Sequence, residues 1–212
     1  SLINSSIKSL EHITKILKRN NSKFQADFKF YKGSLINKEF IHKVFFEAKK
    51  KGSKIDAVVH FAGLKSVQES IDKPLLYWRE NVIGTLNLLE VMSDFFCNKI
   101  VFSSSATIYK ATHCKLINEG SEIEAINPYG NTKIVNEKLL NDIFQSNKQK
   151  WRIINLRYFN PIGAHPSGLI GESPNGIPSN IFPLIMKSAS NKKFTLKVFG
   201  NDWPTKDGTC IR

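Results

Sequence analysis

Tyr129 and Lys133 stand four residues apart in the stretch NPYGNTKIVNEKLL, which begins at Asn127 and reads as the start of an amphipathic helix. Residues at this spacing share one helix face, so the phenol and the ammonium are expected to be neighbours. A phenol has a pKa of about 10, and a fixed positive charge nearby should lower it. A hydroxyl from Ser105 could hold a substrate oxygen against the phenol. The three residues predict a catalytic unit that removes the proton of a substrate alcohol. A Tyr and a Lys at this helix spacing are, by themselves, also common in proteins where they have no catalytic role.

Strands and helices alternate along the chain in a way that would position these residues. This rhythm favours parallel strands joined by right-handed crossovers, as in a doubly wound α/β sheet. The predicted strands are 28–33, 55–63, 99–106, 151–161 and 195–200, and the predicted helices are 10–17, 37–52, 74–97, 128–146 and 180–191. The segment from residue 161, rich in Gly, Pro and Ser, is expected to be a functional loop or a disordered one.

Polar residues follow three of the predicted strands, at 60–66, 103–107 and 157–161. Ligands of doubly wound sheets bind beyond the carboxyl ends of the strands. The sequence therefore predicts one ligand site at this edge, with Ser105 and Tyr129 in it.

Composition argues against several other classes of protein. The net charge of +13 invites a nucleic-acid interpretation, but only five of the 31 basic residues are Arg, and the lysines are scattered along predicted helices. No apolar run reaches the length of about 20 residues that a membrane helix needs. The three cysteines form no CxxC pair, which favours reduced thiols in the cytoplasm. His60 and His165 lack paired ligand spacing, so no metal site is expected.

Five blocks of sequence resemble the UDP-galactose 4-epimerases, which belong to the extended short-chain dehydrogenase/reductase group. They are HFAGLKSVQES, FSSSATIY, NPYGNTK, the run from LRYFNP through GAHPSG to SNIFP, and FGNDWPTKDGTCIR. The resemblance covers the chain from about residue 30 to Arg212. It implies a Rossmann-type sheet that binds NAD, a UDP-sugar substrate and a homodimer with helices 74–97 and 128–146 as candidates for its interface.

The resemblance also assigns roles to individual residues. The catalytic ones would be Tyr129, Lys133 and Ser105, which would also contact NAD. The other cofactor-binding residues would be Phe61, Ala62, Gly63, Leu64, Lys65 and Phe159. Besides Ser105 and Tyr129, the substrate would contact Asn160, Asn180, Lys197, Val198, Phe199 and Arg212.

The chain departs from the family pattern at several places. The glycine loop that seats the cofactor pyrophosphate and the sequence after Arg212 are not in this chain, which we interpret as an internal piece of a longer protein. Ser34 replaces the usual Asp, which puts adenine contact in doubt, and Glu80 replaces an Asn and is expected to point away from the site. We expect residues 1–160 to form a partial NAD-binding domain, incomplete at its N-terminus, and residues 161–212 the start of a sugar-nucleotide-binding region.

The expected function of the parent protein is the interconversion of UDP-glucose and UDP-galactose through oxidation at C4, as part of galactose metabolism. Another NAD-dependent sugar-nucleotide epimerase or dehydratase is the alternative, although the motif SSSAT lacks the carboxylates a dehydratase needs. A third alternative is a silent fragment or a basic binding module, and the 212-residue piece alone is expected to bind NAD weakly without turnover.

Overall fold

The computed structural model describes residues 6–19, 28–110, 116–172, 178, 180–198 and 200–209. The chain divides into two compact units, one of Phe30–Pro161 and one of Ser1–Lys29 with Ile162–Arg212. Domain bounds at 160 and 161 remain a prediction.

Three strands form the parallel sheet of the unit Phe30–Pro161. They are β1 (Val58–His60), β2 (Lys99–Ser105) and β3 (Arg152–Tyr158), in that spatial order. Val58 pairs with Ile100, and Lys99 through Ser105 pair in register with Arg152 through Tyr158. The predicted α/β class with a parallel sheet is confirmed.

The helices lie where apolar periodicity predicts them, except that α3 was not predicted and the predicted helix 74–97 is divided. The same unit contains α2 (Lys38–Lys50), α3 (Val67–Asp72), α4 (Pro74–Tyr77), α5 (Gly84–Asp94) and α6 (Pro128–Ser146), and the other contains α1 (Lys8–Arg19) and α7 (Ile181–Ser190). The predicted helix 74–97 is divided, because a π-helical segment, Trp78–Ile83, separates α4 from α5. Such segments are rare and concentrate at functional sites.

The hydrophobic core lies between the sheet and the helices α2, α5 and α6. Its fully buried members include Phe102 on β2, Val91 and Met92 on α5, and Leu140 on α6. The sheet side chains that alternate with this face are more open, as Val59 at 60% exposure shows. The core thus fixes α6 against β2, the two elements that carry the predicted catalytic residues.

Two predicted strands were wrong. Residues 28–33 and the described part of 195–200 have no regular secondary structure. An alternating pattern becomes a strand only when a neighbouring strand accepts its backbone hydrogen bonds. Among the described residues, β1 is paired on the β2 side alone, and neither segment joins the sheet.

Candidate active site

Ser105, Tyr129 and Lys133 come together at the carboxyl end of β2. Ser105 is the last residue of that strand, and the other two lie in the first two turns of α6. All three are buried, at 7%, 9% and 6% exposure. The start of α6 is fixed by Pro128 in its first turn and by the Asn127 side chain, which accepts the Gly130 N–H at 2.8 Å.

Gly130 allows α6 to approach the segment that follows β2. A Cβ at this position would lie 2.6 Å from the Ala125 Cβ and 2.9 Å from the Thr107 carbonyl oxygen, closer than real Cβ atoms come. A larger residue would push the helix start away from β2. The glycine next to Tyr129 therefore brings the phenol within reach of Ser105.

The Lys133 amine is held between the sheet and the helix. Its Nζ donates to the Ser103 carbonyl at 2.7 Å and lies 4.8 Å from the centroid of the Phe102 ring. The Tyr129 ring centroid is 5.7 Å from the same nitrogen. Burial disfavours the ammonium and lowers the pKa of Lys133 to about 8.

The predicted lowering of the Tyr129 pKa was wrong for the protein without a ligand. Burial raises the pKa of this phenol above its usual value, and hydrogen bonding with Ser105 offsets the rise only in part. The Lys133 nitrogen lies over the ring and donates to Ser103. Desolvation of the phenolate consequently outweighs the attraction of the nearby amine.

The loop after β1, residues 61–65, lies against this catalytic group. A Cβ on Gly63 would sit 3.2 Å from the Asn81 Oδ1 and 3.8 Å from the Lys133 Nζ. Asn81 binds both backbone groups of the next residue, Leu64: its Oδ1 accepts the Leu64 N–H at 2.8 Å, and its Nδ2 donates to the Leu64 carbonyl at 3.0 Å. Ala62, Gly63 and Lys65 are exposed, and Phe61 is 62% exposed. The loop is thus rigidly held yet open on its outer side.

A buried polar network continues from Asn81 into the protein. Its carbonyl accepts from Thr85 Oγ1 at 2.6 Å and from Asn136 Nδ2 at 3.0 Å. The Thr85 hydroxyl also lies 2.9 Å from His60 Nε2. Burial first, and the charge of Lys133 second, lower the pKa of His60 to about 4, so the imidazole is neutral at neutral pH.

The described residues contain no group of three His, Cys, Asp or Glu that could hold a metal ion.

The remaining predicted site residues are more exposed. Phe159 and Asn160 follow β3 directly, and Phe159 is 59% exposed. In the other unit, Asn180 donates to Glu172 at 2.5 Å, and Lys197 and Val198 are exposed in an irregular segment. Phe199 and Arg212 lie outside the described residues.

The two residues that replace family residues, Ser34 and Glu80, each contact a neighbour in the chain. Ser34 Oγ accepts the Ile36 N–H at 3.3 Å, so this hydroxyl supports the turn before α2. Glu80 lies 3.5 Å from the Arg79 Nε. An ion pair with its own neighbour agrees with the expectation that Glu80 turns away from the catalytic group.

Sequence reasoning missed the residues that hold the loop. Asn81 was not predicted to have a role, nor was the Tyr77 hydroxyl, which accepts the Ser66 N–H at 3.0 Å. Both lie in or beside the π-helical segment, where Asn81 is 2% exposed and Tyr77 fully buried. A signal was present: Asn81 and Thr85 place two polar side chains one turn apart on the buried face of an otherwise apolar helix.

Known proteins similar in sequence to this chain belong to one family. A family profile described as GDP-mannose 4,6 dehydratase matches residues 2–212. UDP-glucose 4-epimerase 2 of Arabidopsis thaliana is 46% identical over 99% of this chain and 57% of its own length. UDP-glucose 4-epimerase of Bacillus subtilis is 45% identical over 100% of this chain and 59% of its own. The chain therefore spans less than two thirds of these relatives.

Solved structures agree with the sequences. The UDP-glucose 4-epimerase of Bifidobacterium longum, in complex with NAD+ and UDP, matches 98% of this chain and 58% of its own at 40% identity and a TM-score of 0.85. That of Stenotrophomonas maltophila, with bound NAD and formylated UDP-arabinopyranose, has the same identity and TM-score over 99% of this chain and 58% of its own. These matches, with the family profile over nearly every residue, show that the chain belongs to the extended short-chain dehydrogenase/reductase family and is similar to its UDP-glucose 4-epimerases.

Proposed function

We propose that the whole protein is an NAD-dependent UDP-glucose 4-epimerase that interconverts UDP-glucose and UDP-galactose. The observation that carries the proposal is the convergence of Ser105, Tyr129 and Lys133 beside the loop 61–65. Identity of 45–46% to two curated epimerases over nearly the whole chain supports the same activity.

The residues at the strand ends fit a nicotinamide cofactor. The missing Cβ of Gly63 lets the loop backbone pack closely against Asn81 and the Lys133 amine. Phe61 and Phe159 present exposed aromatic rings beyond β1 and β3, suited to pack against a flat ring. Loop residues 61–65, together with Lys133 and Phe159, would hold the NAD on this side of the sheet.

In the proposed reaction the chain supplies positioning and proton transfer. NAD, when bound, supplies the hydride acceptor for C4 of the sugar and then the hydride donor. The Tyr129 oxygen takes the proton of the C4 hydroxyl and later returns one. The Ser105 hydroxyl, at the end of β2 beside the start of α6, orients the same substrate oxygen. Lys133 keeps positive charge beside the phenol and stabilises its anion.

A pair of neighbouring serines gives the sharpest test of this arrangement. In the full-length protein, Tyr129→Phe and Ser105→Ala should each lower kcat for UDP-galactose conversion by about 100-fold or more, since each removes a proton-transfer or orienting group. Ser104→Ala is the matched control, because its buried hydroxyl lacks a hydrogen-bond partner among the described residues. Near-wild-type kcat in Tyr129→Phe would refute the proposal.

A sugar-nucleotide dehydratase is the second candidate, favoured by the description of the matching family profile. Dehydration needs an additional acid and base next to the catalytic serine. Here Ser105 is followed by Ala106 and Thr107, and the Thr107 hydroxyl donates to Ser105 at 3.0 Å. Incubating the protein with UDP-glucose and identifying the product by NMR separates the two: an epimer supports our proposal, and a 4-keto-6-deoxy sugar overturns it.

We also propose that the protein acts as a cytoplasmic homodimer in galactose metabolism. Exposed apolar side chains on α4 and the following segment, Leu75 at 83% and Ile83 at 45%, would suit an interface between copies. Among the described residues, no helix combines the length and apolarity needed to cross a bilayer. Sedimentation of the full-length protein at the monomer mass, at micromolar concentration, would contradict the dimer.

A further inference from the structure

A largely buried ion pair lies one turn beyond Lys133 on the same face of α6. Glu137 continues the four-residue spacing of Tyr129 and Lys133. Arg157 of β3 grips it with two nitrogens: Nε donates to Oε1 at 3.0 Å, and Nη2 donates to Oε2 at 2.7 Å. The side chains are 19% exposed for Arg157 and 10% for Glu137. Helix α6 is therefore tied to β3 by a two-pronged contact with a fixed geometry.

The remaining donor of Arg157 reaches a third part of the fold. Its Nη1 donates to the Tyr109 hydroxyl at 3.1 Å and to the Glu119 carbonyl at 2.9 Å. The guanidinium carbon lies 5.1 Å from the centroid of the Tyr109 ring. Hydrogen bonding to Glu137 first, and to Tyr109 after it, favours the charged form and raises the pKa of Arg157. One guanidinium thus connects α6, β3 and the segment after β2.

Tyr109 transmits this connection to the strand ends. Its ring stacks with that of Phe159 at 6.4 Å between centroids and an interplanar angle of 26°. Tyr109 is 9% exposed, whereas Phe159 is 59% exposed and has one side open. The orientation of Phe159, which the proposed function places against the cofactor, therefore depends on a ring that Arg157 holds.

We propose that Tyr109, Glu137 and Arg157, together called the anchor cluster, form a positioning unit for the catalytic reaction. The unit sets the angle of the catalytic face of α6 relative to β3 and fixes the Phe159 ring through Tyr109. This inference rests on the proposed function, since it concerns the efficiency of the same site.

Stability alone is a weak reason for such a cluster. Replacing a buried ion pair by apolar side chains of similar volume is often neutral or stabilising, whereas removing one partner is costly. Apolar contacts are not directional, so they would preserve packing without fixing the angle between helix and strand. A double substitution can therefore separate the positioning role from the structural one.

The decisive variant is Glu137→Met combined with Arg157→Met in the full-length protein. We expect a thermal midpoint close to that of the wild type, a kcat about tenfold or more lower, and a KM within about threefold, because none of the cluster is assigned to the sugar. Arg152→Met is the matched control: this exposed arginine of the same strand donates to the carbonyls of residues 148, 149 and 151. A double variant with the wild-type midpoint and the wild-type kcat would overturn the inference.

If the double variant does not fold, two variants of Tyr109 test the positioning role instead. Tyr109→Phe keeps the ring against Phe159 and should retain kcat within about threefold, whereas Tyr109→Leu removes the stacking and should lower kcat by about tenfold. Equal kcat in these two variants would contradict the role of the ring. If the wild type itself produces no epimer, the proposed function fails instead, so the two failures are distinguishable.

Discussion

Burial of the Lys133 ammonium predicts an unusual dependence of stability on pH. Its pKa is lowered from 10.5 to about 8 in the folded protein because the charged form is desolvated. An unfolded lysine keeps a pKa of about 10.4. Between these values the unfolded state binds more protons than the folded state, so the free energy of unfolding should rise with pH.

The magnitude follows from the two pKa values. A difference of about 2.5 pKa units opposes folding by about 3 kcal/mol at neutral pH. Of this, about 2 kcal/mol is regained from about pH 7 to about pH 9.5, as the folded-state amine loses its proton first. Methionine does not titrate, so the wild type should gain about 2 kcal/mol over a Lys133→Met variant across this interval. The lost hydrogen bond to the Ser103 carbonyl adds an offset but no slope.

Urea unfolding of the full-length protein, freed of bound nucleotide, measures this difference at several pH values. Lys138→Met provides the control, because Lys138 lies on the same helix but is exposed. This variant measures the effect of exchanging lysine for methionine on the same helix without burial. If the difference between the wild type and Lys133→Met stays constant with pH within about 0.5 kcal/mol, burial does not control this amine and the reasoning is refuted.

Three further predictions concern the neighbours of Lys133. Asn81→Asp removes the amide donor to the Leu64 carbonyl, and calorimetric titration of the full-length protein should show NAD affinity reduced by about tenfold, equivalent to one lost hydrogen bond. Gly130→Ala should lower the free energy of unfolding, measured in urea, by about 1–3 kcal/mol, because the added Cβ would overlap its neighbours. Gly120→Ala is the control: its Cβ would lie 3.5 Å from the nearest atom, so the free energy of unfolding should change by less than about 0.5 kcal/mol. In the nucleotide-free protein, the red-shifted absorbance of the phenolate that Tyr129→Phe removes should appear only above about pH 10, and its appearance near neutral pH would contradict the raised pKa of the phenol.

Apolar periodicity was sufficient to place most of the elements that carry the site. The pattern predicted β2 and β3 and the helix that begins at Pro128, because each buries its apolar face in one core. It failed at residues 28–33, where alternation was present but no neighbouring strand among the described residues accepts the backbone hydrogen bonds. It also missed the π-helical segment Trp78–Ile83, since a shift of hydrogen bonding within a helix leaves the side-chain pattern nearly unchanged.

Only part of the candidate site could be predicted from the sequence, because some of its contacts depend on tertiary packing. Ser105, Tyr129 and Lys133 were identifiable by residue type and spacing, because their chemistry requires those groups. Glu137 and Arg157 meet across 20 residues of chain, and neither has a local pattern that distinguishes it from a surface charge. Such contacts depend on how α6 crosses β3, and this crossing is decided by packing.

The spacing of Tyr129 and Lys133 did not determine the direction of their pKa shifts, which depends on how deeply each side chain is buried. Burial acts on both members of the pair against their charged forms, raising the pKa of Tyr129 and lowering that of Lys133. A phenolate in this site therefore needs the Lys133 ammonium, and that ammonium is itself favoured when an anion forms beside it. Near neutral pH the pair therefore holds a charged Lys133 amine and a neutral phenol, and the phenol acts as a base only while that charge stays beside it. Proton transfer at Tyr129 then depends on the position of Lys133, which Ser103, Phe102 and the loop at Gly63 jointly determine.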